Sequence, residues 1–142
     1  VGKPLRTRLE GGQNLREIPK FWETCHQDGT TERLLDLIRP DDTMYGICTD
    51  YDSNGEFTYL VAVETPPEKA DPASGFEARI IPDNTWAVFT CTLPEIHATW
   101  SRIFQEWLPS SGYEVTGGPE LEKYVMEGDA LVCEIWIPVV GK

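Results

Sequence analysis

The stretch Met44-Tyr45-Gly46-Ile47-Cys48-Thr49-Asp50-Tyr51-Asp52-Ser53-Asn54-Gly55-Glu56-Phe57-Thr58-Tyr59-Leu60-Val61-Ala62-Val63 carries the pattern that decides the fold. From Met44 onward the apolar period is two, with Tyr45, Ile47, Thr49 and Tyr51 on one face and Phe57, Tyr59, Val61 and Val63 alternating on the return. That period belongs to β-strands. Asp52-Ser53-Asn54-Gly55 separates the two runs, and Asn-Gly supplies the positive φ that tight hairpin turns require.

Upstream of this hairpin the period is helical. Asn14 followed by Glu17 resembles a capping box, and Leu15, Ile18, Trp22 and Cys25 then recur at helical spacing. Thr30 or Thr31 can cap a second, short helix with Leu34, Leu35 and Ile38, ended at Pro40-Asp41-Asp42. Further upstream, Leu5, Thr7 and Leu9 alternate as in an edge strand that stops at Gly11-Gly12.

Downstream, residues 65–75, with Pro66-Pro67 and Pro72, read as a connector. Glu77 to Thr92 then reads as a strand interrupted around Pro82-Asp83-Asn84. Thr92-x-x-Glu95, with Pro94 in the first turn, forms a capping box. Ile96, Trp100, Ile103 and Trp107 follow on one helical face, stopped by Pro109 and Gly112. Two more strand signals close the chain, Tyr113 to Val125, broken near Gly117-Gly118-Pro119, and Leu131 to Val139.

Each half therefore reads strand, helix, strand, strand. The expectation is a single α+β domain over residues 1–142, internally duplicated in halves of about 1–65 and 76–142, with helices on one side of an antiparallel sheet. A two-layer α+β domain without true duplication satisfies the same element order.

Composition narrows the function classes. Lys and Arg number 12 against 24 Asp and Glu, a formal charge of −12. Nucleic-acid affinity rests largely on neutralising phosphates with basic side chains, and anionic membrane surfaces attract the same groups, so neither partner is expected of this domain. No apolar run approaches the ~20 residues of a membrane span, and no secretory leader precedes the first strand, so a cytoplasmic location is expected. Cys25, Cys48, Cys91 and Cys133 are widely spaced with no C-x-x-C pair. Buried thiols in a reducing compartment are therefore expected, without a metal site or any cofactor. Dinucleotide-binding, P-loop, zincin and nucleophile-elbow motifs are absent from the sequence.

Glu134 is the anomaly, a carboxylate inside Leu131-Val132-Cys133-Glu134-Ile135-Trp136-Ile137-Pro138-Val139. Such a group either faces water at a sheet edge or occupies an interior cavity that compensates its charge. Its own strand face carries Val132, Trp136 and Pro138. A carboxylate among rings suits an organic cation, which gains both the charge pair and the ring quadrupoles. Glu122 is the second candidate, on one strand face with Glu120 and Tyr124. Tyr45, Tyr51, Phe57, Tyr59, Trp86, Trp100, Tyr124 and Trp136 supply more ring surface than a small core needs, although core packing is the ordinary role of any one of them.

Further residues carry a family resemblance. Ile18-Pro19-x-x-Trp22, Tyr45-Gly46-Ile47, Trp86-Ala87-Val88-Phe89, Trp107-Leu108-Pro109, Leu121-Glu122-Lys123-Tyr124 and Glu134-Ile135-Trp136-Ile137-Pro138-Val139 resemble the GyrI-like small-molecule-binding family. It includes the effector-binding domains of AraC-type and MerR-type bacterial transcription activators, some of them multidrug-responsive. The resemblance spans essentially the whole chain. It implies a central ligand groove between tandem strand-helix-strand-strand halves, binding lipophilic, cationic or amphipathic aromatic molecules. The family's floor glutamate corresponds best to Glu134, with Glu122 as a second acidic wall. No basic helix-turn-helix lies within these residues, so the implied roles are the sensing domain of a regulator or a stand-alone drug-binding protein, monomeric or homodimeric. A few relatives hydrolyse small electrophiles and others bind DNA gyrase. The alternatives are thus a hydrolase using a groove Glu or Tyr, and an acidic protein-interaction domain.

Overall fold

The computed structural model describes residues 1–39 and 42–142, with every side chain among them except that of Glu127. The chain forms two compact units, Val1–Ile81 and Pro82–Lys142.

In the first unit, strand β3 (Glu56–Val63) pairs antiparallel with both β1 (Gly2–Arg8) and β2 (Met44–Thr49). Phe57, Tyr59, Val61 and Val63 form a core with Cys25 of helix α1 (Gln13–Gln27), Leu34 of helix α2 (Thr30–Leu35) and Phe76. Leu60 and Ala62, on the other face of β3, are equally buried. A strand covered on both faces reads as a continuous apolar run, as Tyr59 to Val63 does.

Local chemistry differs from the expected motifs at several joints. The hairpin turn is longer than an Asn-Gly turn and is organised by Asp52, whose Oδ1 accepts the backbone N–H groups of Asn54 (2.8 Å) and Glu56 (3.1 Å). Gly55 does adopt positive φ (78°), and so does Asp50 (54°). The Asn14–Glu17 capping box does not form. Gly12, in the left-handed region, precedes α1, and Glu17 instead accepts hydrogen bonds from Thr7 Oγ1 (2.6 Å) and Gln13 Nε2 (2.8 Å), tying the helix to β1. The α2 start is held by Asp28, whose Oδ1 accepts from the Thr30 N–H and hydroxyl. Of the stop expected at Pro40-Asp41-Asp42, Pro40 and Asp41 lie outside the described residues.

The strand expected from Glu77 begins instead at Thr85. Glu77 bridges to Gly2 through two backbone hydrogen bonds (2.8 and 2.9 Å), and Arg79 donates to Asp50 and Glu77. Residues through Ile81 thereby belong to the first unit, and the connector is part of it.

The second unit contains β4 (Thr85–Thr92), α3 (Ile96–Arg102), β5 (Tyr113–Val115), β6 (Glu120–Glu127) and β7 (Ala130–Gly141). Strand β7 pairs antiparallel with β4, β5 and β6. Its odd-numbered residues Cys133, Ile135, Ile137 and Val139 are buried with Ile103, against Ala87, Phe89, Cys91, Ile96, Trp100, Trp107 and Tyr124. The helical stripe expected from the sequence is therefore the stripe that α3 and its continuation bury. At the start of the helical segment the Thr92 hydroxyl donates to the Glu95 carboxylate (2.7 Å) and caps no backbone N–H, so the reciprocal capping box expected from the sequence does not form. The helix continues through a π-helical turn (Ile103–Trp107) directly before Pro109, which cannot donate to the carbonyl four residues back.

Each unit is thus a strand-helix-strand-strand arrangement, with β5 added in the second, and its helices cover one face of antiparallel strands. The α+β class and the repeated element order agree with the sequence reading. No described helix is long and apolar enough to cross a membrane.

Ile135 is fully buried at the centre of the second core. Truncating it to alanine should cost about 2–5 kcal/mol, whereas Val88→Ala at an exposed position on the neighbouring strand should stay within about 0.5 kcal/mol. Urea denaturation of both variants checks this.

Candidate functional site

Antiparallel partners share a face, so the β6–β7 register decides where each acidic candidate points. Glu122 pairs with Ile135 and Tyr124 with Cys133, which places both on the face that α3 covers. Glu134 pairs with Lys123, and Trp136 with Leu121, on the opposite face. The two carboxylates singled out in the sequence therefore stand on opposite sides of one sheet.

Glu122 is the buried one, 8% exposed. Its Oε2 accepts the indole N–H of Trp100 at 3.0 Å, and its Oε1 accepts the Tyr124 hydroxyl at 2.8 Å. Trp100 reaches it because the Ile96-Trp100 spacing of one helical turn turns the indole toward the sheet. The outer side of that indole stacks on Phe104, with centroids 6.1 Å apart and planes 10° apart. A carboxylate is thereby oriented by two neutral donors and flanked by ring surface. Hydrogen bonds to a charged group are the stronger kind.

Glu134 is half-buried and accepts the Trp136 indole N–H at 3.2 Å. Lys123 of β6 and Thr90 of β4 occupy the positions directly across from it. Trp86 and Trp136 meet edge to face on this same side, 5.9 Å apart. Glu122 is thus the more enclosed of the two carboxylates, while Glu134 is half-buried on a face it shares with buried Val132 and Pro138 and half-buried Trp136. Strand parity sets the difference: Cys133, Ile135, Ile137 and Val139 lie under α3, while Val132 and Pro138 are buried on the other face beside Glu134.

The remaining candidates belong to the first unit and do not form one cluster. Tyr59 is 1% exposed and accepts the Trp22 indole N–H at 2.8 Å, as part of the core. Phe57 is 2% exposed and stacks with Tyr51 at 5.1 Å. Tyr51 thereby leaves the face shared by Tyr45, Ile47 and Thr49, because the positive φ of Asp50 breaks the alternation just before it. Tyr45 stands on the other face of its strands, its hydroxyl 3.5 Å from the Glu64 carboxylate. The structure brings together Trp100, Glu122 and Tyr124 on one face, and Trp86, Glu134 and Trp136 on the other.

Phe104, which the sequence reading did not name, lies one helical turn beyond Trp100 and stacks on its ring. A further open cleft of about 650 Å³ lies between α3 and β4, lined among others by Phe89, Cys91, Thr99, Arg102, Ile103 and Trp107. None of the ten candidates lines it. Among the described residues no group of three or more His, Cys, Asp or Glu side chains could hold a metal ion.

The fold and the family match together make this a GyrI-like domain of the effector-binding class. The chain belongs to the family of integron-associated effector binding proteins, whose family model matches residues 1–139. It is 32% identical over 85 residues to a DNA gyrase inhibitor of Erwinia billingiae (strain Eb661), covering 56% of this chain and 55% of that protein. The chain thus spans about half the length of that relative. Among solved structures, SAV2435 bound to tetraphenylphosphonium superposes with a TM-score of 0.79 at 22% identity, over 99% of this chain and 87% of that one. A bacterial transcription regulation protein from Staphylococcus aureus MU50 gives 0.72 at 20% identity, over 99% and 91%. An integron cassette protein from the mobile metagenome of Vibrio cholerae gives 0.68 at 17%, over 98% and 88%. At these identities the solved structures share the fold.

Tyr124→Phe removes one donor to the buried carboxylate while keeping the ring. The expected loss is about 1.5–3 kcal/mol of stability, the range for a hydrogen bond to a charged group, measured by urea denaturation at neutral pH.

Proposed function

We propose that this chain binds lipophilic organic cations at Glu122, as the ligand-sensing domain of a bacterial transcription regulator or as a stand-alone drug-binding protein in the cytoplasm. The observation that carries the reading is the enclosed Glu122 carboxylate between the Trp100 indole and the Tyr124 hydroxyl. The carboxylate pairs with the ligand's positive centre, and Trp100, Phe104 and Tyr124 offer flat apolar surface and ring quadrupoles. The donors keep the carboxylate oriented before a ligand arrives, which lowers the ordering cost of binding. The net charge of −12 draws cations toward the protein and raises the association rate at low salt. Tetraphenylphosphonium, bound in the structurally similar SAV2435, is a ligand of this chemistry.

A second reading, supported by the acidic charge and the similarity to a DNA gyrase inhibitor, is a protein-interaction domain for a basic partner. It predicts capture of purified gyrase that disappears at high salt, because exposed charge pairs are screened.

Titration with tetraphenylphosphonium should quench tryptophan emission saturably. Glu122→Gln should weaken binding roughly tenfold or more, equivalent to about 1.4 kcal/mol or more, while Glu134→Gln stays near wild type. Absence of saturable quenching, or a larger loss in Glu134→Gln than in Glu122→Gln, would overturn the assignment.

A further inference from the structure

Cys91 and Cys133 take no part in the carboxylate site, yet they face each other directly across the β4–β7 ladder. Both point into the core that α3 covers. Directly opposed residues of an antiparallel pair have Cα atoms about 4.5 or 5.5 Å apart, inside the ~4.4–6.8 Å span of a disulfide. Their Cβ atoms, ordinarily ~4.5–5.5 Å apart, need to approach by about an ångström. Strand β4 ends its sheet and is paired on one side by β7, so it is the strand that can yield.

Access is graded across the pair. Cys91 is half-buried and lines the open cleft beside α3, while Cys133 is fully buried behind it. The other two cysteines, Cys25 on α1 and Cys48 on β2, share no ladder. We propose that Cys91 and Cys133 form a modification site, a dithiol that hydrogen peroxide converts to a reversible cross-strand disulfide.

The chemistry balances with the peroxide as sole oxidant. The Cys91 thiolate attacks one peroxide oxygen, the O–O bond breaks, hydroxide leaves, and Cys91 becomes a sulfenic acid. The Cys133 thiolate then attacks Cys91 Sγ, the S–S bond forms, the S–O bond breaks, and a second hydroxide leaves. The two thiol protons convert both hydroxides to water; the sulfurs give up two electrons and the peroxide accepts them. Burial, reinforced by the Glu95 and Glu122 charges, pushes the Cys91 thiol up, and burial followed by the Glu122 charge does the same to Cys133. Few thiolates at neutral pH make the first step slow. The second step is intramolecular, so its rate does not depend on the oxidant's concentration. Such a pair answers sustained oxidant and not its basal level. This property stands independently of cation binding at Glu122.

The test treats the reduced chain with hydrogen peroxide, alkylates remaining thiols under denaturing conditions, and maps the linkage by mass spectrometry of a non-reducing digest. Alkylatable thiols should fall from four to two, with one Cys91–Cys133 linked peptide that dithiothreitol reverses. The Cys25→Ser/Cys48→Ser double variant should behave as wild type, and Cys91→Ser and Cys133→Ala should form no intrachain disulfide. Cys91→Ser, at the half-buried position, carries the comparison if Cys133→Ala does not fold. Retention of all four thiols, sulfinic acid at Cys91 without linkage, or a disulfide involving Cys25 or Cys48 would overturn the proposal.

Discussion

Side chains on a β-strand alternate between faces, and a helix can cover only one of them. In the second unit that constraint acts through β7, where α3 lies over Cys133, Ile135, Ile137 and Val139. Once that face is chosen, the antiparallel register carries the choice to both neighbouring strands. Glu122 and Tyr124 are taken under the helix, while Glu134 and Lys123 are left on the far side. The same parity aligns Cys91 with Cys133 in the core. The Glu122 cluster and the Cys91–Cys133 register pair thus depend on one packing decision.

Trp100 links that packing to chemistry. Its ring contributes to the apolar core, and its N–H satisfies part of a carboxylate that would otherwise be costly to enclose. Among the described residues no buried side-chain nitrogen or oxygen lacks a hydrogen-bond partner. A polar group enclosed on those terms is rigid, and rigidity of a charged group is what recognition of an oppositely charged ligand requires. Phe104, one turn further along the same helix, extends the ring surface outward.

The acidity of the chain separates into two kinds of charge. Most acidic side chains lie at the surface, several in exposed ion pairs such as Arg6–Asp52 and Arg79–Asp50. Pairs of that kind contribute little to stability individually, and their summed field acts at long range on approaching charges. Glu122 differs through enclosure, because a low local dielectric and fixed donors make its charge specific to whatever reaches it.

Much of the fold was legible in the residues alone. The Ile96, Trp100, Ile103, Trp107 stripe and the period-two runs around Gly55 are local patterns, and local patterns are enforced by the geometry of a single element. Two others failed where a distant partner had intervened: Thr7 of β1 engaged Glu17 and displaced the Asn14 capping box, and Gly2 engaged Glu77 and delayed the strand to Thr85. Of the candidates, Trp100, Glu122 and Tyr124 meet under α3 and Trp86, Glu134 and Trp136 share the opposite face, whereas Tyr51 was assigned to a face that the positive φ of Asp50 takes it away from. By itself the sequence determined which segments become strands and helices and which residues carry charge and rings, because backbone periodicity and composition are properties of short stretches. Only the tertiary structure decided which carboxylate is enclosed, because enclosure is the meeting of a helix face with one of two sheet faces, and no single stretch contains both.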